Sequence, residues 1–324
     1  DPATMMGPLV EAPSEKLLRG LTMLEPGEAW LVEPRSIDEA RHIWTPGVRT
    51  GVRPGSWFHL HECFGPVLGL MRAPDLDTAI AWQNQVEYGL TGGIESLDPA
   101  EIERWLDQVQ VGNAYVNRHI TGAVVRRQPF GGWKKSSIGA GSKPGGPGHL
   151  HSFGTWTTAP DHAQAHCAFE QTWREVFAIE HDPSGLHSEA NFLRYRPLDQ
   201  VIIRVERGED PQLAVALFAA KAAGVGVSVS CVRDESDEAL ADRLQSLTSS
   251  GAVRLRLLAP ASKALFAAAF AAGVAVDRAP VTTLPELELN HWVLEQSVSQ
   301  TMHRHGRILR HRPGSERSTS AQPR

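Results

Sequence analysis

The sequence predicts an α/β protein whose second half is built on a parallel sheet. Three observations carry that expectation. Strand-like apolar runs alternate with helical periodicity, the alternation becomes regular after residue 200, and Gly and Pro cluster between the runs.

The first elements are short. Residues up to Pro8 read as loop, and Ser14–Met23 as a helix whose Ser14 and Glu15 favour the exposed N–H groups of its first turn. Trp30–Glu33 and Trp57–His61 are strand-like, and Val67–Met71 is a buried-type apolar run. Between the first two, Pro34–Ser56 carries enough Pro and Gly to read as loop or irregular edge. Asp75–Gln85 spaces Leu76, Ala79, Ile80 and Gln83 as one helix face. In Ser96–Val109, a second helix, Asp98 caps, Pro99 suits the first turn, and Ile102, Trp105, Leu106 and Val109 form an apolar face. Gly112 stops it, and Asn113–Asn117 is a strand.

Trp156–Pro160 and a His-containing segment to His166 form a connector. Strands are then expected at Val201–Val205, Val225–Val232, Val253–Leu258 and Val274–Val276, with helices over Pro211–Ala223, Asp237–Leu247 and Ala261–Ala272. Repeated βα units of that length imply a parallel, Rossmann-like sheet with right-handed crossovers. The dinucleotide fingerprint is missing. The turn after the first of these strands reads Arg207-Gly208-Glu209-Asp210-Pro211, whose acidic residues repel a pyrophosphate. The expectation is a Rossmann-shaped domain that binds no nucleotide, which disfavours a freestanding nucleotide-binding protein.

With 324 residues, 41% of them hydrophobic and 21% charged, the chain is long and apolar enough for two globular domains. A net charge of -5 argues against nucleic acid or an anionic membrane as partner, although His303–Arg324 carries six Arg against one Glu. Cys63, Cys167 and Cys231 lie too far apart for a metal knuckle or a disulfide framework, so a reducing, cytoplasmic compartment is expected. No apolar run approaches the roughly 20 residues of a membrane span, and no signal peptide opens the chain. The histidines show no two-His spacing with a carboxylate, so no metal is expected.

Val111–Leu150 organises the rest. It packs a buried-looking strand, a turn at Thr121-Gly122-Ala123, a rigid Gln128-Pro129-Phe130-Gly131-Gly132 corner and a Gly/Pro/Ser segment into forty residues, as a ligand-facing loop system does. Tyr115-Val116-Asn117-Arg118, Ile120–Ala123, Gln128–Gly132 and Lys143-Pro144-Gly145-Gly146-Pro147 resemble the end of the catalytic domain of aldehyde dehydrogenases, and among them the L-glutamate γ-semialdehyde (1-pyrroline-5-carboxylate) dehydrogenases. Upstream, Glu62-Cys63-Phe64-Gly65-Pro66-Val67 looks like that superfamily's cofactor motif and Tyr88–Gly93 like the turn after it. Asn191–Leu198 and Val298–Arg304 resemble the opening and terminal motifs of an extra, structural C-terminal domain found in long proline utilisation A proteins, the terminal motif being associated there with closure around the active-site region. The division implied is residues 1–150 for the end of a catalytic domain, 151–190 for a connector, 191–302 for the Rossmann-like structural domain and 303–324 for a basic tail, mobile beyond Arg312.

The resemblance implies roles. Glu62 corresponds to a Glu that accepts from the ribose hydroxyls of NAD, and Phe64 to the aromatic beside the nicotinamide. The main-chain N–H groups of Gly122 and Ala123 correspond to the anchor for the α-carboxylate of glutamate γ-semialdehyde, and Phe130 to the ring on its methylene chain. Taken without the motifs, these are a solvated Glu, a core Phe, a connecting turn and a core anchor. The family's Cys nucleophile, Glu base and oxyanion Asn all precede the matching region, and no catalytic residue is assigned. Asp1 falls inside what looks like a family motif, Thr4–Leu9, which suggests a fragment.

Other candidates have plainer readings. Cys63 is a buried inert thiol beside an apolar strand, Cys167 sits in a helix-like connector and Cys231 ends a strand. Arg126 and Arg127, adjacent on a strand, point to opposite faces and make no joint clamp, and Lys134 and Lys135 form a solvated turn. The leading expectation is part of an NAD-dependent, homo-oligomeric L-glutamate γ-semialdehyde dehydrogenase of proline catabolism, with proline dehydrogenase as a possible upstream fusion and no activity of its own. The alternative is a non-catalytic assembly or interaction module.

Overall fold

Side-chain caps fix where the helices begin. Ser14, Ser56, Asp75, Asp98, Asp210, Ser236 and Ser262 each accept a main-chain N–H from the first turn of the helix that follows. The computed structural model describes residues 7–137, 142–154, 156, 165–247, 252–304 and 307–308. They form two units, one ending at Glu87 and one starting at Tyr88.

The first unit runs α1 (Glu15–Thr22), β1 (Ala29–Val32), β2 (Ser36–Asp38), β3 (Ile43–Trp44), β4 (Gly47–Thr50), α2 (Trp57–Leu60), β5 (Val67–Gly69) and α3 (Leu76–Asn84). β4 is the middle strand of a small sheet, antiparallel to β1 and parallel to β5. Two expectations change here. Trp57–Leu60 is helical rather than a strand, because Ser56 caps it and Trp57 stacks on the C-cap His61 one turn later, with ring centroids 5.0 Å apart. Pro34–Ser56 is not all loop. Its β4 is held by Arg49, which is buried, pairs with Glu28 at 2.9 Å, donates to the Gly20 carbonyl and lies 4.0 Å over the Phe58 ring.

The second unit contains β6 (Tyr88–Gly89), β7 (Thr91–Ile94), α4 (Pro99–Gln108), β8 (Asn113–Val116), β9 (Trp133–Lys134), α5 (Ala165–Thr172) and β10 (Glu189–Pro197). Next come β11 (Gln200–Val205), α6 (Pro211–Ala223), β12 (Gly226–Cys231), α7 (Asp237–Ser246), β13 (Val253–Leu257), α8 (Lys263–Ala271) and β14 (Ala275–Asp277). A short α9 (Pro285–Glu288) leads into β15 (Val293–Thr301).

The Rossmann-like expectation holds in β12-β11-β13-β14, which pair in parallel throughout. Both faces are covered, as the apolar strands demand. Val201, Ile203 and Val205 of β11 join α6 in one core, whereas Ile202 meets Leu255 and Leu257 of β13, Leu240 and Leu244 of α7, and Leu265 of α8 in the other. Asp210 meets the Gln212 N–H at 2.8 Å, so its carboxylate takes the end of α6 where a nucleotide fold receives phosphate.

The chain then leaves this sheet. β15 lies between β10, antiparallel over nine residue pairs, and β8, parallel with Ser297 opposite Asn113; β7 completes the order β10-β15-β8-β7. One sheet thus joins strands from either side of residue 150. The connector at 157–164 and most of the basic tail lie outside the described residues, although His303–Arg304 and Arg307–Ile308 pair as short strands. Among the described residues no helix is long and apolar enough to cross a membrane.

A buried ionic cluster ties the parallel sheet to the start of β15. Arg256 meets Glu288 at 2.9 Å and Asp277 at 3.6 Å, Glu288 also accepts the Trp292 indole N–H at 3.0 Å, and Asp277 contacts His291 at 2.7 Å. Removing one partner leaves buried charge uncompensated. Arg256→Ala is expected to lower unfolding free energy by about 3–5 kcal/mol in urea denaturation, and Leu217→Ala, at an exposed position on α6, by far less.

Candidate functional site

In the first unit, the residues singled out from the sequence hang on Cys63. Leu17 and Leu21 of α1 and Trp57 and Phe58 of α2 build a small core that this thiol completes. Burial pushes the Cys63 thiol up, against the pull of Arg49, so it stays protonated and unreactive. Its two neighbours face outward. Glu62 is exposed and has no hydrogen-bond or ion-pair partner among the described residues. Phe64 is 86% exposed and held at φ +50°, a left-handed backbone that bulky residues rarely adopt. An unpaired carboxylate and an unpacked ring match what a ribose diol and a nicotinamide require, so the residues present fit the dinucleotide that the resemblance implies.

In the second unit, β8 delivers the chain to the loop that holds the other candidates. Asn113–Val116 is fully buried, and Asn117 turns out of the strand at φ +54°. From His119 to Arg127 every residue is exposed. Gly122 has φ +82°, which favours glycine, and neither its N–H nor that of Ala123 finds an acceptor among the described residues. Two free main-chain donors side by side are the raw material of an anion nest.

Buried polar side chains fix the base of that loop. The Gln128 Oε1 accepts the Val124 N–H at 3.0 Å, and its Nε2 donates to Asn191 Oδ1 at 2.7 Å and Ser299 Oγ at 3.1 Å. Arg118 donates to the same Ser299 hydroxyl at 2.6 Å and faces Glu189 at 3.7 Å. Both ends of the turn are therefore tied to β10 and β15, so the loop is exposed without being loose.

The Phe130 corner is clamped separately. Pro129 O accepts from Asn113 Nδ2 at 3.2 Å and Ser297 Oγ at 2.7 Å, while Gly131 N–H donates to Asn113 Oδ1 at 3.2 Å. Lys143 Nζ donates to Gly112 O at 2.7 Å, to Asn113 Oδ1 at 2.8 Å and to Gly131 O. Gly112 must be glycine here, since a Cβ would sit 2.0 Å from Gly131 O. The backbone is fixed and the Phe130 ring stays 44% exposed, available to a ligand.

Lys143 brings a buried carboxylate with it. Its main-chain N–H donates to Glu295 Oε2 at 2.7 Å. Burial pulls the Lys143 ammonium down to about 7 despite Glu295, and burial pushes Glu295 up to about 7 against the Lys143 hydrogen bond and charge.

Gly122 and Ala123 on one side and Phe130 on the other are thus held by two sets of hydrogen bonds that both reach β15, and Glu62 and Phe64 share one loop of the other unit. Two readings need correction. Arg126 and Arg127 lie in a turn, with Arg126 at φ +66°, so strand alternation does not separate them. Lys134 belongs to β9 and is half-buried, and burial alone lowers its ammonium to about 8; only Lys135 is the solvated turn residue. Arg118, Gln128, Lys143, Asn191 and Ser299 were visible only as motif letters, and Glu295 carried no signal beyond polarity in a strand-length segment. All three thiols are free, and the described contacts give none of them a base. No cluster of three or more metal-ligating side chains exists among the described residues.

Comparison with known proteins shows what the chain is similar to. Residues 1–158 match the family model described as "Aldehyde dehydrogenase family". The 1-pyrroline-5-carboxylate dehydrogenases of Geobacillus sp. strain WCH70 and Bacillus subtilis strain 168 are each 36% identical over 151 residues, 46% of this chain and 29% of theirs. The structure of proline utilization A from Corynebacterium freiburgense is 41% identical and covers 95% of this chain and 33% of its own, with a TM-score of 0.82. The chain therefore spans a third or less of the relatives it matches, and its fold is that of the aldehyde dehydrogenases.

Because Glu295 keeps its proton above the ordinary 4.5 when folded, its contribution to stability is full below that value and is lost as pH rises through about 7. The melting-temperature advantage of wild type over Glu295→Gln is expected to shrink between those two pH values. A constant difference across that window contradicts the assignment.

Proposed function

We propose, from the premise that residues 1–158 belong to the aldehyde dehydrogenase family, that this chain forms part of an NAD-dependent L-glutamate γ-semialdehyde dehydrogenase. The observation that carries the substrate is the pair of free main-chain donors at Gly122 and Ala123 in a loop anchored at its base. A carboxylate suits two parallel N–H groups, and the glycine lets it approach. Phe130 offers apolar surface to the methylene chain between that carboxylate and the aldehyde.

Glu62 orients the dinucleotide by accepting from its ribose hydroxyls, and Phe64 packs beside the nicotinamide ring. When bound, NAD supplies the hydride acceptor for aldehyde oxidation. This chain's part is to fix the distance between carboxylate anchor and aldehyde, which selects a semialdehyde of one length over others. Cys63 is protonated and packed inward, so the attacking thiolate and the carboxylate that activates water are assigned to residues outside this sequence. The substrate's origin in proline catabolism follows the names of the relatives.

Kinetics of the intact enzyme separate the two subsites. Gly122→Val is expected to raise KM for the semialdehyde by about tenfold or more while leaving KM for NAD near wild type, the loss of about one charge-assisted hydrogen bond. Glu62→Ala should do the reverse. Equal effects on both ligands by either variant contradict the proposal, as does NADH production by the purified 324-residue chain given the semialdehyde.

A further inference from the structure

A cavity of about 340 Å³, within the range of small-ligand sites, lies beside the start of β15. It is walled by the segment around Gly148, by the turn after β14 and by the start of β15. Glu295 reaches it from the strand. One oxygen of that carboxylate, Oε2, is occupied by the Lys143 N–H, but Oε1 is buried and has no hydrogen-bond partner, in a residue only 3% exposed. Leaving such an acceptor unmatched costs about 1–3 kcal/mol, more if it is charged.

Gly148 keeps the space in front of that oxygen open. A Cβ at Gly148 would sit 2.6 Å from Glu295 Oε1 and 3.3 Å from Asn290 Oδ1, so two acceptors converge on a volume that any side chain would fill. The Asn290 amide is oriented for this, since its Nδ2 donates to Glu286 O at 2.6 Å and its Oδ1 is left turned toward Gly148.

We propose that this cavity binds a small ligand carrying an ammonium group on a short apolar body, with Glu295 Oε1 and Asn290 Oδ1 accepting its N–H donors. The free acceptors select the ligand. Among the described lining residues there is no Lys or Arg, and Asp277 is already held by Arg256 at 3.6 Å and His291 at 2.7 Å, which leaves the unmatched Glu295 Oε1 as the acceptor facing the space. A ligand carboxylate would set a third acceptor against these two oxygens, which separates a simple amine from an amino acid. The donor set is too small for a metal ion, and directional N–H donors fit two convergent oxygens better than a bare cation does. Leu287, Val293 and Trp156 supply the apolar wall for the body of the ligand.

Calorimetric titration of the 324-residue chain with n-butylammonium chloride tests this, with n-butanol and tetramethylammonium chloride as probes that lack the charge or the N–H donors. Saturable one-site binding of n-butylammonium alone is expected. It should weaken by about tenfold or more in Asn290→Ala, the loss of one charge-assisted hydrogen bond, and vanish in Gly148→Ala, with circular dichroism confirming that each variant is folded. The proposal is overturned if wild type gives no saturable binding, if n-butanol binds as tightly, or if a folded variant, Asn290→Ala included, binds as wild type does.

Discussion

The site depends on one constraint: β15 is a polar strand that the fold buries. Glu295, Gln296, Ser297 and Ser299 are all buried, in a strand pinned between β10 and β8. Each such group costs about 1–3 kcal/mol unless it finds a partner. Each therefore reaches for a neighbour, Ser297 for Pro129, Ser299 for Asn191 on β10 and Gln128 at the loop base, Glu295 for Lys143 and Gln296 for the Val111 carbonyl. The partners include the base of the Gly122 turn and the Phe130 corner. Satisfying the strand and positioning the loops are the same set of hydrogen bonds.

The parallel sheet contributes at a distance. Its β13 and β14 place Arg256 and Asp277 side by side in register, and these hold Glu288, Trp292 and His291 just ahead of Val293. The register of β15 against β8 is what sets Ser297 opposite Asn113, and the strand begins where this ionic cluster ends. A domain whose helix end is already taken by Asp210 thus acts on the Gly122 and Phe130 loops as a mechanical support. Nothing in that role calls for a nucleotide.

The apolar periodicities were legible. α6 and the β11–β14 sheet lie within a residue or two of the expected bounds and α4 starts three residues late, at its Asp98 cap, because their buried faces are apolar and their caps are Asp and Ser. What was not legible is what polar residues hold. Val293–Thr301 reads as mixed polar sequence, β4 is three-quarters Gly, Arg and Thr, and Trp57–Leu60 is too short for a helical period to show. The candidate residues followed from motif resemblance. Their supports, Gln128, Asn191, Ser299 and Lys143, are separated by up to 171 residues and meet only once the sheet forms.

Amide hydrogen exchange in Ser299→Ala tests whether β15 holds the Gly122 loop. The account predicts that the Val124 and Gln128 amides, which close the turn, exchange about tenfold faster or more once the Ser299 hydroxyl is gone, while Ser297, bonded to Gly112, keeps its protection. Unchanged exchange at Val124 and Gln128 in a folded Ser299→Ala protein would show that the loop is ordered without β15, and would contradict the account.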